Sequence, residues 1–497
     1  MDDRTKVGLG LLGAALAVGL LGDLLLRATP WGINVLLWVA ILAGAAGTLW
    51  RWGRLGPAGG GRWLVPVAVF FAAAVAWRDS PVVASLDILA VLVALFLAAF
   101  RGRRGGLRHS GISEYVLGGI YAGILSTAGP LPVMLKEVRW REVARGRWRG
   151  PALAATRGVL LAVPLLLVFG ALLAAADAVF ETLLVDLFGF DVAELFGHVF
   201  LTLFVGWVVA GLLWVALLAS NPESLALPRP AALSLGVIEV GVVLGLLDLL
   251  FLAFVAIQVR YLFGGAGRVI EAAGLTYAEY ARRGFFELVT VTALVLPLLL
   301  LAHWLLRAGN RAHERFFGLL SGAMVALLFV IVASALQRMY LYTQEFGLTE
   351  LRLYTTIFMV WLSVILVWFV LTVLRGRRDS FALGVLATGF AAILVVNAVN
   401  PDALIARVNT DRMEAGERFD ARYLTSLSAD AVPVMIEALP AMDEADRRIV
   451  EADLETFSRR SQEGSDWRTW NLSRSRALAL VETEMGAPET QSASTQR

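Results

Sequence analysis

Residues 7–399 alternate long apolar runs with short breaks, mostly rich in arginine, and residues 400–497 are polar. A membrane helix needs about 20 predominantly apolar residues. The runs that qualify are 7–26, 31–50, 63–77, 82–100, 152–176, 197–218, 232–258, 285–306, 316–337, 353–374 and 380–399. The run 63–77 is the shortest. A further stretch, 115–133, is long enough but carries Gly118, Gly119, Gly123, Gly129, Pro130 and Pro132. Backbone groups freed by such residues have to be re-satisfied within the protein.

Composition sharpens this pattern into a class. Hydrophobic residues are 58% and charged residues 17%, against about 45–50% and about 25% in soluble domains. The excess sits in runs, which marks an integral membrane protein. The apolar start from Val7 has no small-residue cleavage site before Asp23, so it reads as a retained helix rather than a signal peptide. Cysteine is absent, which excludes disulfides and thiolate chemistry. A net charge of +2 gives no reason to expect a nucleic-acid partner.

Arginine and lysine then set the topology, because short cytoplasmic loops carry the excess of positive charge. With a cytoplasmic N-terminus and 115–133 not crossing, the N-terminal segment and the loops before the tail place 22 basic residues inside and 8 outside. If 115–133 crosses, the split is 15 to 15; if it crosses and 63–77 does not, it is 19 to 11. The first arrangement predicts eleven spans in a bacterial plasma membrane, with 115–133 re-entrant or interfacial. It leaves the tail extracytoplasmic.

The tail shows three helical patterns separated by turn signals. Ser428 is placed to cap one; Ile449, Val450, Leu454 and Phe457 share a face of the second; Trp470, Ala477, Leu478 and Val481 lie near one face of the third. The expected fold class is all-α: a polytopic transmembrane helix bundle with a small C-terminal helical domain. The expected units are a four-helix membrane module (1–109), a re-entrant or interfacial segment with a basic helix (110–150), a core bundle (151–399), the tail domain (400–485) and a disordered end (486–497).

Several stretches carry a family likeness: "FGALLAAADAVFE" (169–181), "RYLFGG" (260–265), "YAEYARRGFFELV" (277–289), "LQRMYLYTQEFGLTELRLY" (336–354), "NPDALIARVNTDR" (400–412), "LTSLSADAVP" (424–433) and "DWRTWNLSRSRA" (466–477). With these the chain resembles an uncharacterised bacterial membrane family, domain of unknown function 4173, and its sister 4153, over about residues 115–480. The resemblance implies a polytopic membrane protein and transfers no site.

Candidate chemistry is sparse. No phosphate-binding loop, metal spacing among the four histidines or nucleophile–base pair is visible, so neither a cofactor nor catalysis is expected. The ionisable residues inside apolar runs that stand out are Asp87, Arg157, Glu239 and Asp248. Each costs on the order of 3 kcal/mol or more at the bilayer centre, so each marks either a helix–helix pair or an ion path. Glu239 and Asp248, nine residues apart, point to opposite helix faces. Gly241 and Gly245 would let another helix approach. Basic residues in 136–149 suit a helix on anionic lipid at the cytoplasmic face. Two outer loops complete the set. One holds Arg260, Tyr261, Tyr277, Glu279, Arg282 and Arg283; the other holds Arg338, Tyr340, Tyr342, Glu345, Glu350 and Arg352. They read as interfacial anchors, as a polar pocket, or as a dock for the acidic tail, with Phe457, Trp467 and Trp470 as its apolar anchors. Two functions fit: an envelope sensor or scaffold with an envelope protein as partner, or a carrier or channel for an ion, lipid or small solute.

Overall fold

The computed structural model describes residues 2–54, 60–101, most of 120–140, 192–219, 234–263, 285–306, 311–377, 380–464 and 466–485, with a few single positions between 158 and 177. Among them nine helices are long and apolar enough to cross a membrane. In the numbering used from here these are α1 (Asp3–Leu26), α2 (Ile33–Trp52), α4 (Pro81–Arg101), α5 (Val192–Leu217), α6 (Val237–Phe263), α7 (Phe285–Leu305), α8 (Arg311–Phe346), α9 (Glu350–Thr372) and α10 (Phe381–Val399). The shorter α3 (Leu64–Val75) coincides with the run 63–77. The run 152–176 lies outside the described residues, single positions apart. The protein is an all-α polytopic bundle.

Two groups of helices share separate cores. The first joins α1–α4 with α5, around Leu11, Val39, Ala68, Phe71, Ala94 and Leu213. Here α5 runs antiparallel to α1, and small residues set the contact. A methyl added to Gly19 would meet the Thr202 carbonyl oxygen at 2.5 Å, and one added to Gly206 would meet that of Ala15 at 3.2 Å. Lipid is as apolar as leucine, so close backbone approach and dispersion hold such a pair where burial from water does not.

The second group is α6–α9, around Leu244, Leu299, Met324, Leu328, Leu366 and Phe369. Gly241 faces the Phe316 ring of α8, 2.6 Å from an added methyl, whereas Gly245 has no atom that close among the described residues. Helix α10 serves both groups. Phe381 and Val385 pack on the second core, and Ala382, Leu386, Phe390 and Ile393 on the first.

Residues 120–138 form a hairpin that enters and leaves at one end of the bundle. Tyr121 packs on Phe100 at the end of α4, with ring centroids 6.4 Å apart. Gly129 turns at φ +58° beside Trp207, and Val138 returns to Gly8 near the start of α1. The turn therefore lies at the level of the middle of α1. Three indole N–H groups satisfy the hairpin: Trp207 donates to the Thr127 carbonyl, Trp140 to the Met134 carbonyl and Trp214 to Glu137. This meets the requirement that irregular backbone at membrane depth be covered by protein.

At Asn400, with φ +55°, the chain leaves α10 and starts α11 (Pro401–Glu414). Asparagine tolerates this left-handed conformation, and proline suits the first helical turn. The tail continues through α12 (Ala421–Thr425), α13 (Val432–Ala438), α14 (Glu444–Glu463) and α15 (Leu472–Glu484) around its own core of Leu424, Met435, Val450, Leu454, Ala477 and Val481.

Candidate functional site: a clasp between tail and membrane helices

Among the described residues the tail meets three loops at one end of the bundle. The tightest contact is with the α3–α4 loop. Helix α4 begins at Pro81, and the two residues before it, Asp79 and Ser80, carry buried amides that need acceptors. Asp430, which is 4% exposed, supplies one: its Oδ2 accepts from the backbone of Asp79 at 2.7 Å and Ser80 at 3.2 Å. Its Oδ1 accepts from the Ser473 hydroxyl at 2.6 Å and from Arg78 at 3.3 Å. Asp79 returns the favour. It accepts from the backbone of Ala429 at 3.3 Å, at the start of the 3-10 turn Ala429–Ala431, and pairs with Arg474 at 2.8 Å. Asn471 closes the other side by donating to the carbonyls of Val75 and Arg78 at the end of α3, at 3.0 and 2.8 Å. Burial pushes the Asp79 carboxyl up to about 6 against the pull of Arg474, and burial also raises Asp402, which accepts from the backbone of Ser428.

The second contact is with the α1–α2 loop. Ile33 donates to the Trp470 carbonyl at 2.9 Å, and Arg468 donates to the Leu24 carbonyl at 2.5 Å. The third joins α8 and α9. Arg412 donates to the carbonyls of Thr343, Gln344 and Glu345; Asn409 bonds both ways to Leu348; the Tyr423 hydroxyl accepts from the Glu350 backbone at 2.9 Å. The tail thus straps loops of both helix groups together.

A chain of polar groups descends from the clasp. Arg78 donates to the Asn397 carbonyl at 2.8 Å, and the Asn397 amide donates to Asp87, fully buried within α4, at 2.8 Å. Below Asp87, residues 88–100 of α4 are all apolar.

The candidate residues from the sequence are distributed as follows. Residues 338–346 are helical, the end of α8, and only 347–349 form a loop. Arg338 donates to Gln258 on α6; Tyr340 is exposed; Tyr342 lies under the Arg352 guanidinium at 4.1 Å. Glu345 and Glu350 meet the tail through their backbones. Glu239 accepts from the Gly236 amide at the start of its own helix. Both oxygens of Asp248 are buried without a hydrogen-bond partner among the described residues. Arg157, Tyr277, Glu279, Arg282, Arg283 and the side chains of Arg260 and Tyr261 lie outside the described residues.

The clasp corrects the expected anchors. Trp467 and Trp470 are 65% and 44% exposed, and Phe457 packs in the tail's own core. Buried helix caps make the joint instead, because helix ends carry unmet hydrogen-bonding groups that an exposed ion pair does not satisfy. A second polar pair escaped the sequence reading: His198 on α5 meets Asp23 on α1 at 2.5 Å, with Arg27 at 3.5 Å from the same carboxylate. The partners are 175 residues apart, and no spacing rule joins them.

No curated protein and no solved structure matches the chain. A family model does match, over residues 65–438, under the description "Domain of unknown function (DUF4153)". It is the sister family named above; membership of 4173 is not confirmed. The match opens inside α3 and closes at the end of α13, so it spans α3, α4, the membrane helices after them and the first half of the tail. By this match the chain, a polytopic helix bundle, belongs to the DUF4153 family.

Proposed function

We propose that this is a non-enzymatic plasma-membrane protein of the bacterial envelope, a sensor or scaffold whose tail is extracytoplasmic and docks on the membrane bundle. The supporting observation is Asp430. A tail carboxylate holds the two backbone amides that lead into a membrane helix, so the tail cannot leave without freeing the entry to α4. An envelope partner that binds the tail would thereby change the end of a spanning helix. The test is hydrogen exchange of the protein in nanodiscs. In D430A, protection of the amides of residues 79, 80 and 82–84 should fall together with that of residues 429–474. Loss confined to the tail would make it a passive appendage and overturn the reading.

The alternative, a carrier or channel for an ion, lipid or small solute, draws on the polar chain from Asp430 through Arg78 and Asn397 to Asp87. Against it, among the described residues that chain ends at Asp87. Solute flux in proteoliposomes that D87N abolishes would favour this alternative.

A further inference from the structure

Two exposed tryptophans on an otherwise polar tail call for an explanation. Trp467 and Trp470 flank the 3-10 turn Trp467–Thr469, and both leave large apolar surface uncovered among the described residues. The turn is fixed over the end of α1: Arg468 reaches the Leu24 carbonyl, and the Trp470 carbonyl receives Ile33 at the start of α2. Gly32 allows the approach, since a methyl there would meet the Trp470 carbonyl oxygen at 2.2 Å.

The face of α1 below this turn is uncovered too. Leu16, Leu20 and Leu24 are each more than half exposed and, at spacing i, i+4, i+8, form one stripe along the helix. On a spanning helix such a stripe is the lipid face. Trp31, 42% exposed in the α1–α2 loop, donates to the Leu26 carbonyl at the end of the same helix, and Arg468, between the two tail tryptophans, donates to the Leu24 carbonyl. An indole has an apolar body and one N–H donor, which places it at the headgroup level of a bilayer.

We infer that Trp467 and Trp470 are a membrane-interface anchor, so that the tail is held by the lipid headgroup region as well as by the protein clasp. The occupant of this surface is the bilayer. This rests on the docked tail of the proposed function and adds its second partner. It also explains why an aromatic pair stands beside, and not within, the protein–protein joint.

The chain has no cysteine, which makes the test direct. W467C is labelled with an environment-sensitive fluorophore in nanodiscs, with and without lipid carrying a nitroxide near the headgroup. R448C, on the exposed face of α14 with its side chain 74% exposed, is the reference. The W467C label should emit to the blue of the reference and be quenched several-fold more by the nitroxide lipid. A label as wet and as weakly quenched as the reference overturns the inference. A blue-shifted label that the nitroxide does not quench also overturns it, since protein then covers the site. Limited proteolysis of labelled W467C keeps the two readings apart: rapid cleavage of its tail would count against docking itself, whereas resistance with a wet label counts against the lipid anchor alone.

Discussion

Asp79 and Asp430 hold each other's backbones: Asp430 Oδ2 takes the Asp79 amide hydrogen at 2.7 Å, and Asp79 Oδ2 takes that of Ala429 at 3.3 Å. One partner lies in the α3–α4 loop, two residues before α4, and the other in the tail. The reciprocal arrangement satisfies backbone amides on both sides of the joint, and Arg78 and Arg474 balance the two carboxylates.

Removing Asp430 should therefore cost more than an ordinary cap. A cap is worth about 0.5–2 kcal/mol, and the Arg78 side chain, only 12% exposed, would lose its ion pair. D430A is expected to lose about 2–4 kcal/mol of stability in thermal unfolding. Its tail should be cut rapidly between residues 412 and 460 by added protease.

Asn471 and the tryptophans separate polar clasping from apolar anchoring. N471A removes two donors to the end of α3 and should speed tail cleavage, at a cost of about 1–3 kcal/mol. The double variant W467A/W470A should leave cleavage in detergent near the parent rate, because neither side chain is buried in the joint. Faster cleavage of the double variant than of N471A would reverse this ranking.

The clasp should tighten in acid. Asp79 has its carboxyl raised to about 6 when docked, while an undocked Asp79 titrates near 3.8. The docked state binds the proton more strongly, so this group's stabilising contribution is complete below about 3.8 and is lost as pH rises through about 6. Asp402 shifts in the same direction. The groups facing Asp79 are Arg474, Asp430 and Asp402. At about 1.4 kcal/mol per pKa unit, the gain between pH 7 and pH 4 is on the order of 2 kcal/mol. Tail cleavage by an acid-tolerant protease, corrected for its own pH profile, should slow over that range, and D79N should flatten the dependence.

The hairpin at 120–138 fixes a labelling pattern. Single cysteines at Arg4, Arg108 and Arg139 should react with an impermeant thiol reagent from one side of the membrane, and a cysteine at Arg448 from the other. Opposite accessibility of Arg108 and Arg139 would mean that the segment crosses.

The sequence by itself marked where the nine membrane-length helices of the described residues lie, because span length is set by bilayer thickness and shows as runs of apolar residues, but it placed 338–346 in a loop where α8 continues to Phe346. It also determined the local signals of the tail. Ser428 accepts from the Asp430 amide at 3.4 Å as the expected cap, and Val450, Leu454, Ala477 and Val481 are buried on the predicted faces. Gly129, singled out in 115–133, is the turn of the hairpin, with φ +58°. Only the tertiary structure decided which helix ends the tail would close. Asp79 and Ala429 are 350 positions apart, and His198 and Asp23 are 175 apart. The need for a cap is a local property of every helix start, whereas the carboxylate that meets it from outside the helix is selected by how the helices pack, and packing leaves no periodic trace in the order of residues.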